Sequence, residues 1–436
     1  MLGNTLEVFD FIAYGTFAVM IGRAFFPAHD PELSLLLSVS TFGVGFVTRP
    51  LGALLIGALA DGRGNRAGML ASLALMGVGS LIIGLLPGFA TLGTAAPLLL
   101  VLARLIQGLA WGGEAGPATI FLLDAAGSGR QGRLIAWQGV SQACAVLLCG
   151  LVGVLLDVLL GPAALSRWGW RVPFLLGTAV VPVGLWLRSG LHEPRRGNPV
   201  APRRGAPVAE PAAHPSLRRV LACGFLMMAG GTVTQYFLNF STSYALTALH
   251  LPIRNALLVA VVIGVCGAGA AWGGGVLSDR VGSRRVAIWP RLLLALLVLP
   301  GLWLASRSGS AALFIGLCAA IAMLQASGFV ASVVLMVQHL PQALRATRFG
   351  MATLFGMVYA VAIAAFGGTA QVAFVWLIRQ TGSVIAPGWY LLLVNLVCAG
   401  AALALPEVGS SNRVLKKQDQ GAALVPLGPK APDPDS

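Results

Sequence analysis

Charge is scarce in this chain. Of its 436 residues only 10% are Asp, Glu, Lys or Arg, where a soluble globular protein carries about 25%. Acidic residues are the scarcer kind, 15 against 29 basic ones. Cysteine is scarce too: the six, at 144, 149, 223, 266, 318 and 398, all sit in apolar runs without CxxC spacing, which points to small buried hydrophobes rather than a disulfide framework or metal site. The five histidines (His29, His192, His214, His250 and His339) fall in loops or at helix ends, so a histidine proton relay within the apolar runs is excluded. No GxxxxGK[ST] loop is present to cradle a nucleotide phosphate. The first apolar run begins almost at Met1, without the basic n-region of a cleavable leader, and carries Glu7 and Asp10.

Long apolar runs are what the chain does have. Hydrophobic residues make up 57% of it, the mean hydropathy is +0.84, and the runs at 134–160 and 256–277 are unbroken by basic residues. At about 1.5 Å per residue, each crosses a hydrocarbon layer about 30 Å thick. Only helices or closed barrels satisfy their backbone in lipid. The pattern therefore predicts an all-α polytopic membrane protein in contact with the lipid bilayer. The net charge of +14 invites a nucleic-acid reading, but the basic residues are dispersed over short loops with little aromatic interleaving, and no nucleic-acid partner is expected.

Twelve candidate spans can be counted: roughly 5–26, 35–60, 68–87, 95–123, 134–160, 171–190, 219–246, 255–277, 286–305, 311–338, 349–378 and 386–405. Between spans 6 and 7 the chain turns Pro-, Ala- and Arg-rich, the composition of a flexible linker. The expected organisation is a six-helix half at 1–190, a linker at 191–218, a second six-helix half at 219–406 and a polar, disordered tail at 407–436. Arg63, Arg66, Arg130, Arg133, Arg280, Arg284, Arg285, Arg345 and Arg348 gather in alternate loops with the linker arginines, Lys416 and Lys417. By the positive-inside rule that side is cytoplasmic, with both termini inside.

The two halves share a signature. GALADGRGNR begins at Gly57 after span 2, and GVLSDRVGSRR at Gly275 after span 8. Gly57, Asp61, Gly64 and Arg66 in the first copy match Gly275, Asp279, Gly282 and Arg284 in the second, with Arg280 following the second Asp. Small residues let neighbouring helices approach, and the Asp and Arg residues can form charge pairs that hold one conformation closed and release it in another.

This paired signature, with RLIQG at 104–108, resembles the major facilitator superfamily. GNTLEVFDFIAYGTFA at 3–18, FFP at 25–27, FGVGFVTRPLGALLIG at 42–57, RLIQGLAWGGEAG at 104–116, WGWRVPF at 168–174 and FGGTA at 366–370 resemble its metabolite:proton symporter family. WQGVSQ at 137–142 and LIRQTGSVIAPGWYLL at 377–392 are most similar to that family's citrate and tricarballylate symporters. The chain departs from the pattern at Gly62, Asn65, Asp124, Gln338 and Gln371; the last stands where Pro usually follows FGGxx. The resemblance implies a twelve-helix fold in two halves and proton-coupled uptake of a small organic acid, with no enzymatic activity and no cofactor. A carrier of another metabolite (a betaine, shikimate, a dicarboxylate), proton-coupled efflux, or a sensor that binds without flux are the rival readings. A monomer in a bacterial inner membrane is expected.

A charge at mid-bilayer costs about 2.5 to 3.5 kcal/mol on insertion scales, so each one retained is a functional candidate. Arg104, Gln107, Trp111 and Glu114 lie within roughly an 80° arc of one helix face. Arg104 offers a fork suited to carboxylates, and Glu114 an exchangeable proton. Glu7, Asp10 and Tyr14 form a similar stripe on span 1, and two nearby carboxylates do not ionise with equal ease; Glu7 lies near the cytoplasmic end, where it reads equally as a solvated terminus, so Asp10 is the preferred proton-coupling candidate, with Glu114 and Glu7 beside it. Arg49, next to Pro50, can join Arg104 in binding a di- or tricarboxylate or can serve as a counter-ion for the acids. Gln138, Ser141 and Gln142 on span 5 and Thr232, Tyr236, Asn239 and Ser243 on span 7 can complete a polar pocket. Arg291 is expected at the membrane interface. No metal site is expected.

Overall fold

The computed structural model describes residues 2–63, 65–112, 130–178, 182, 216–340 and 351–406. Among these every ordered element is helical, as a chain that must pair its backbone internally requires. In its described residues each of the twelve expected spans is largely helical. Among the described residues, eight helices are long and apolar enough to cross a membrane, or nine if the bent first pair is one span; spans 3 and 4 contribute the shorter apolar segments Leu70–Leu85 and Ala95–Trp111, and the described helix of span 6 is Val172–Thr178.

Two spans are broken, and the breaks place side chains. Span 1 is Leu2–Thr16 followed by Ala18–Phe25, bent by 68° at Phe17. Span 2 is Pro31–Val44 followed by Arg49–Arg63, the second piece starting next to Pro50, whose missing N–H is tolerated in a first turn. Span 5 runs from Gln131 to Arg167 through a kink at Gly161 (φ +75°) before Pro162. Spans 7, 8, 9, 10 and 12 are Leu217–Thr247, Ile253–Val281, Ser283–Ser308, Ala311–Gln338 and Ala386–Leu403. Span 11 joins Met351–Ala362 to Gly368–Thr381 through a π-helical turn, Ile363–Gly367.

Glycines set the closest helix crossings. A Cβ on Gly108 would strike the carbonyl of Gly45, and one on Gly112 the carbonyl of Arg49, so the Gly-x-x-x-Gly of span 4 lies backbone to backbone on span 2. Gly132 and Gly275 meet in the same way where span 5 starts and span 8 ends.

The halves are pinned at both ends. At the end bearing the basic loops, Asp279 accepts hydrogen bonds from the backbone N–H groups of Gly132 (2.7 Å) and Arg133 (3.1 Å), with the Arg133 side chain 3.9 Å away. Nearby, Gln338 accepts from the Ser283 hydroxyl (2.8 Å) and donates to Gln131 (3.1 Å). At the far end, Arg254 of span 8 pairs with Asp157 of span 5 at 3.2 Å, and Arg379 of span 11 pairs with Asp30 before span 2 at 2.9 Å. Spans 2 and 8, and spans 5 and 11, occupy the same places in the six-helix repeat, so the far-end pairs are equivalent with their charges exchanged.

Candidate functional site

The stripes read from spans 1 and 4 face each other. Arg104 is wholly buried, and Asp10 and Gln107 nearly so. Gln107 joins them: its Oε1 accepts from the Arg104 guanidinium at 2.6 Å, while its Nε2 donates to Asp10 Oδ2 at 3.1 Å and to the Ser80 hydroxyl at 2.8 Å. The neutral amide therefore mediates between cation and carboxylate. Arg104 Nε and Nη2 and Asp10 Oδ1 keep no partner, an expensive arrangement for buried charge unless something arrives to use it.

Arg49 stands beside this network. Its guanidinium lies 3.7 Å from the Trp111 ring centre, 4.2 Å from Phe46 and 5.2 Å from Phe11. The Arg104 guanidinium lies 4.4 Å from Tyr14, 4.9 Å from Phe11 and 5.0 Å from Phe42. Phe11 is thus shared, its ring contacted by both cations. Aromatic faces hold a guanidinium in place without neutralising it, and no described residue forms an ion pair with either arginine. Arg49 keeps Nε and Nη2 unpaired and faces the phenols of Tyr236 and Tyr359, in spans 7 and 11. Its field therefore crosses from one half to the other.

A cavity opens between the halves, lined by Gly139, Gln142, Gln235, Ala326, Phe329 and neighbours, with about 460 Å³ of atom-free space that includes its opening to solvent. A smaller one of about 330 Å³ adjoins it, lined by Gln138, Gln142, Phe329 and Tyr359 among others.

The remaining candidates divide. Tyr14 is buried and donates to the Ser38 carbonyl at 3.2 Å. Gln138 and Gln142 line the cavity, while Ser141 is tied to Asn4 at 2.6 Å. Asn239 accepts from Gln235 at 3.4 Å, and Ser243 donates to the Gly15 carbonyl at 3.3 Å. Glu114 and Gly64 lie outside the described residues. Glu7, Asp61 and Arg66 fall in helices whose side chains at these positions are not described. Of the signature glycines, Gly275 sits in a close crossing, whereas Gly57 has open space where a Cβ would go. Gly282 ends span 8 at φ +105°, a conformation that suits glycine. Arg284 donates to the Leu403 carbonyl at 2.7 Å, within its own half, and Arg280 forms no ion pair among the described residues.

Arg291 corrects an expectation. Rather than sitting at the interface, it is wholly buried, donating to Gln325 and, at 3.2 Å, to Asn395. Gln325 donates in turn to the Gly231 carbonyl at 2.6 Å, and Asn395 to Thr234 at 2.9 Å. Three other spans of the second half, 7, 10 and 12, converge on the guanidinium through Nη1, while its Nε and Nη2, like those of Arg104, keep no partner. Gln107 and Gln325 stand the same chain distance apart as Asp61 and Asp279, so each half carries an Arg–Gln pair and only the first sets a carboxylate beside it. Sequence reasoning missed Ser80, Phe11, Phe46 and Tyr359; the aromatic residues gave no signal beyond ordinary packing.

A two-half bundle of membrane-crossing helices, with buried cations that lack an ionic partner at a seam between the halves and a largely apolar cavity edged by glutamines between them, defines a membrane carrier rather than an enzyme. The comparisons with known proteins agree: residues 2–366 match the Major Facilitator Superfamily, and the chain belongs to that family. It is 35% identical to the citrate-proton symporter of Salmonella typhi, over 92% of this chain and 91% of that one. It is 32% identical to the alpha-ketoglutarate permease of Escherichia coli (strain K12), over 94% and 93%. Among solved structures it is similar in fold to the xylose transporter XylE from E. coli, with a TM-score of 0.71 at 15% identity, over 93% of this chain and 96% of that one.

Proposed function

We propose that this protein is a proton-coupled symporter that takes up citrate or a related di- or tricarboxylate by alternating access. The observation that carries the reading is the pair of buried guanidiniums, Arg49 and Arg104, with free donors and no ionic partner among the described residues, next to one buried carboxylate, Asp10. Two forks held on aromatic faces suit a ligand with more than one carboxylate, and the similarity to the citrate-proton symporter and the alpha-ketoglutarate permease supports the same class of substrate.

Asp10 is the proposed proton site, and Gln107 the link by which its ionisation is felt at Arg104. Import of an anion against a negative-inside potential costs about 2.3 kcal/mol per charge per 100 mV, and inward proton movement offsets it. Spans 1–6 and 7–12 rock about the site. Asp279 and Gln338 clamp the end we assign to the cytoplasm, and the Asp157–Arg254 and Asp30–Arg379 pairs close the outer end. The chain is proposed to act as a monomer in a bacterial inner membrane, both termini cytoplasmic and residues 191–218 linking the halves.

Counterflow uptake in proteoliposomes, with a panel of labelled carboxylates and zwitterions, tests the substrate class. Exchange of citrate or another di- or tricarboxylate is expected; exchange of a zwitterion with no carboxylate exchanged refutes it. Uptake indifferent to an imposed pH gradient refutes the coupling.

A further inference from the structure

Gln371 of span 11 is wholly buried, yet neither its Oε1 nor its Nε2 has a hydrogen-bond partner. Both ends of a carboxamide left unmet inside a protein weaken the fold. Its neighbours in the following turn, Phe374 and Val375, pack normally, so the position is otherwise well made. Two features hold the amide at the seam between the halves. The π-helical turn at Ile363–Gly367 adds a residue to the helical repeat and resets which face of span 11 turns inward, a device often found at functional sites. Gly43 of span 2 then meets the backbone of Gly368 closely. Span 1 offers Gly15 opposite: a Cβ there would stand 3.4 Å from Gln371 Nε2 and 3.5 Å from the Asn239 carbonyl. The glycine keeps the ground over the amide clear where spans 1, 7 and 11 meet, one turn of span 1 beyond Phe11, the ring that both cations contact.

We propose that Gln371 is a substrate-binding residue that holds, by one accepted and one donated hydrogen bond, a hydroxyl or an un-ionised carboxyl of the transported acid. These are the two groups on a small organic acid that donate and accept at once; an ionised carboxylate only accepts and would leave Oε1 unmet. The inference rests on the organic-acid reading above and refines it. A site built to hydrogen-bond a hydroxyl discriminates against the analogue lacking one, because its own polar atoms are then stranded.

The test compares wild type with Gln371→Leu, and with Gln371→Met as a second apolar replacement should the first not be recovered. Citrate and tricarballylate, which differ by one hydroxyl, are compared in counterflow at two pH values, and thermal unfolding is followed in detergent without substrate. If the hydroxyl is the partner, the KM for citrate rises about tenfold while that for tricarballylate stays within about twofold. If the un-ionised carboxyl is the partner, both KM values rise, more at the lower pH. In either case Tm without substrate is unchanged or higher, because an unsatisfied amide has been removed. KM values within about twofold of wild type for both acids at both pH values overturn the proposal, as does a lower Tm, which a structural role predicts. Should wild type exchange neither acid, the substrate reading fails first, and the same variants are measured on whichever acid the panel identifies.

Discussion

Asp10→Asn removes one ionisable group while sparing the arrangement around it. The new side chain keeps an oxygen where Asp10 Oδ2 accepts from Gln107 at 3.1 Å, so Gln107 can still present Oε1 to Arg104 at 2.6 Å and donate to Ser80. The orphaned Oδ1 is the atom free to take a proton, and an amide cannot exchange one in its place. The expected magnitude follows from the driving force. A pH difference of about 2 units, with the membrane potential clamped at zero, is worth about 2.7 kcal/mol per proton, at about 1.36 kcal/mol per unit. One coupled proton therefore sustains about a hundredfold accumulation of substrate. In proteoliposomes the variant should reach only equilibrium, a loss of about that factor, while counterflow at equal pH on both sides stays within a few fold of wild type. Full accumulation by Asp10→Asn would refute the assignment of proton coupling to this carboxylate, and Glu114→Gln would then be the variant to measure.

Arg49→Lys keeps the charge but loses the fork and the stacking on Trp111 and Phe46; KM for a tricarboxylate should rise about tenfold in counterflow, the equivalent of about 1.4 kcal/mol, and Arg49→Gln should cost more. Gly108→Ala drives a methyl into the Gly45 carbonyl, and overpacking of this kind costs about 1 to 3 kcal/mol, read as a lower Tm in detergent. Replacing Asp157 by Asn or Arg254 by Gln should make cysteines introduced along the cavity more reactive to a membrane-impermeant thiol reagent added from outside. The exchanged pair, Asp157→Arg with Arg254→Asp, should restore protection.

Most of the fold was legible because hydrocarbon imposes length: a helix must be apolar for about 20 residues to cross, and hydropathy counts that directly. The break in span 2 goes unread in a run that looks continuous over 35–60, although Pro50 stands just past it. The 68° bend at Phe17 has no proline beside it to announce it. Helical periodicity placed Arg104 and Gln107 on one face and Asp10 and Tyr14 on another, but which faces meet is a property of packing. Asp10 and Gln107 are far apart in sequence, and nothing local announces their hydrogen bond. Arg291 shows the same limit more sharply. Beside Pro290 near the start of a span it reads as an interfacial charge, and nothing local announces the convergence of Gln325 and Asn395 from other spans on its guanidinium. Gln371 was visible as a departure from a pattern, but its lack of partners is a fact of three dimensions.

The far-end ion pairs bear on how freely the two halves can be exchanged. Each half descends through the same sequence of six spans, yet the first brings aspartates to that rim and the second brings arginines. A chain assembled from two first halves would set Asp30 against Asp157 at both seams, and one assembled from two second halves would set arginine against arginine. The helical scaffold repeats but the charges at this rim do not, and the two ion pairs favour each half's opposite over a second copy of itself.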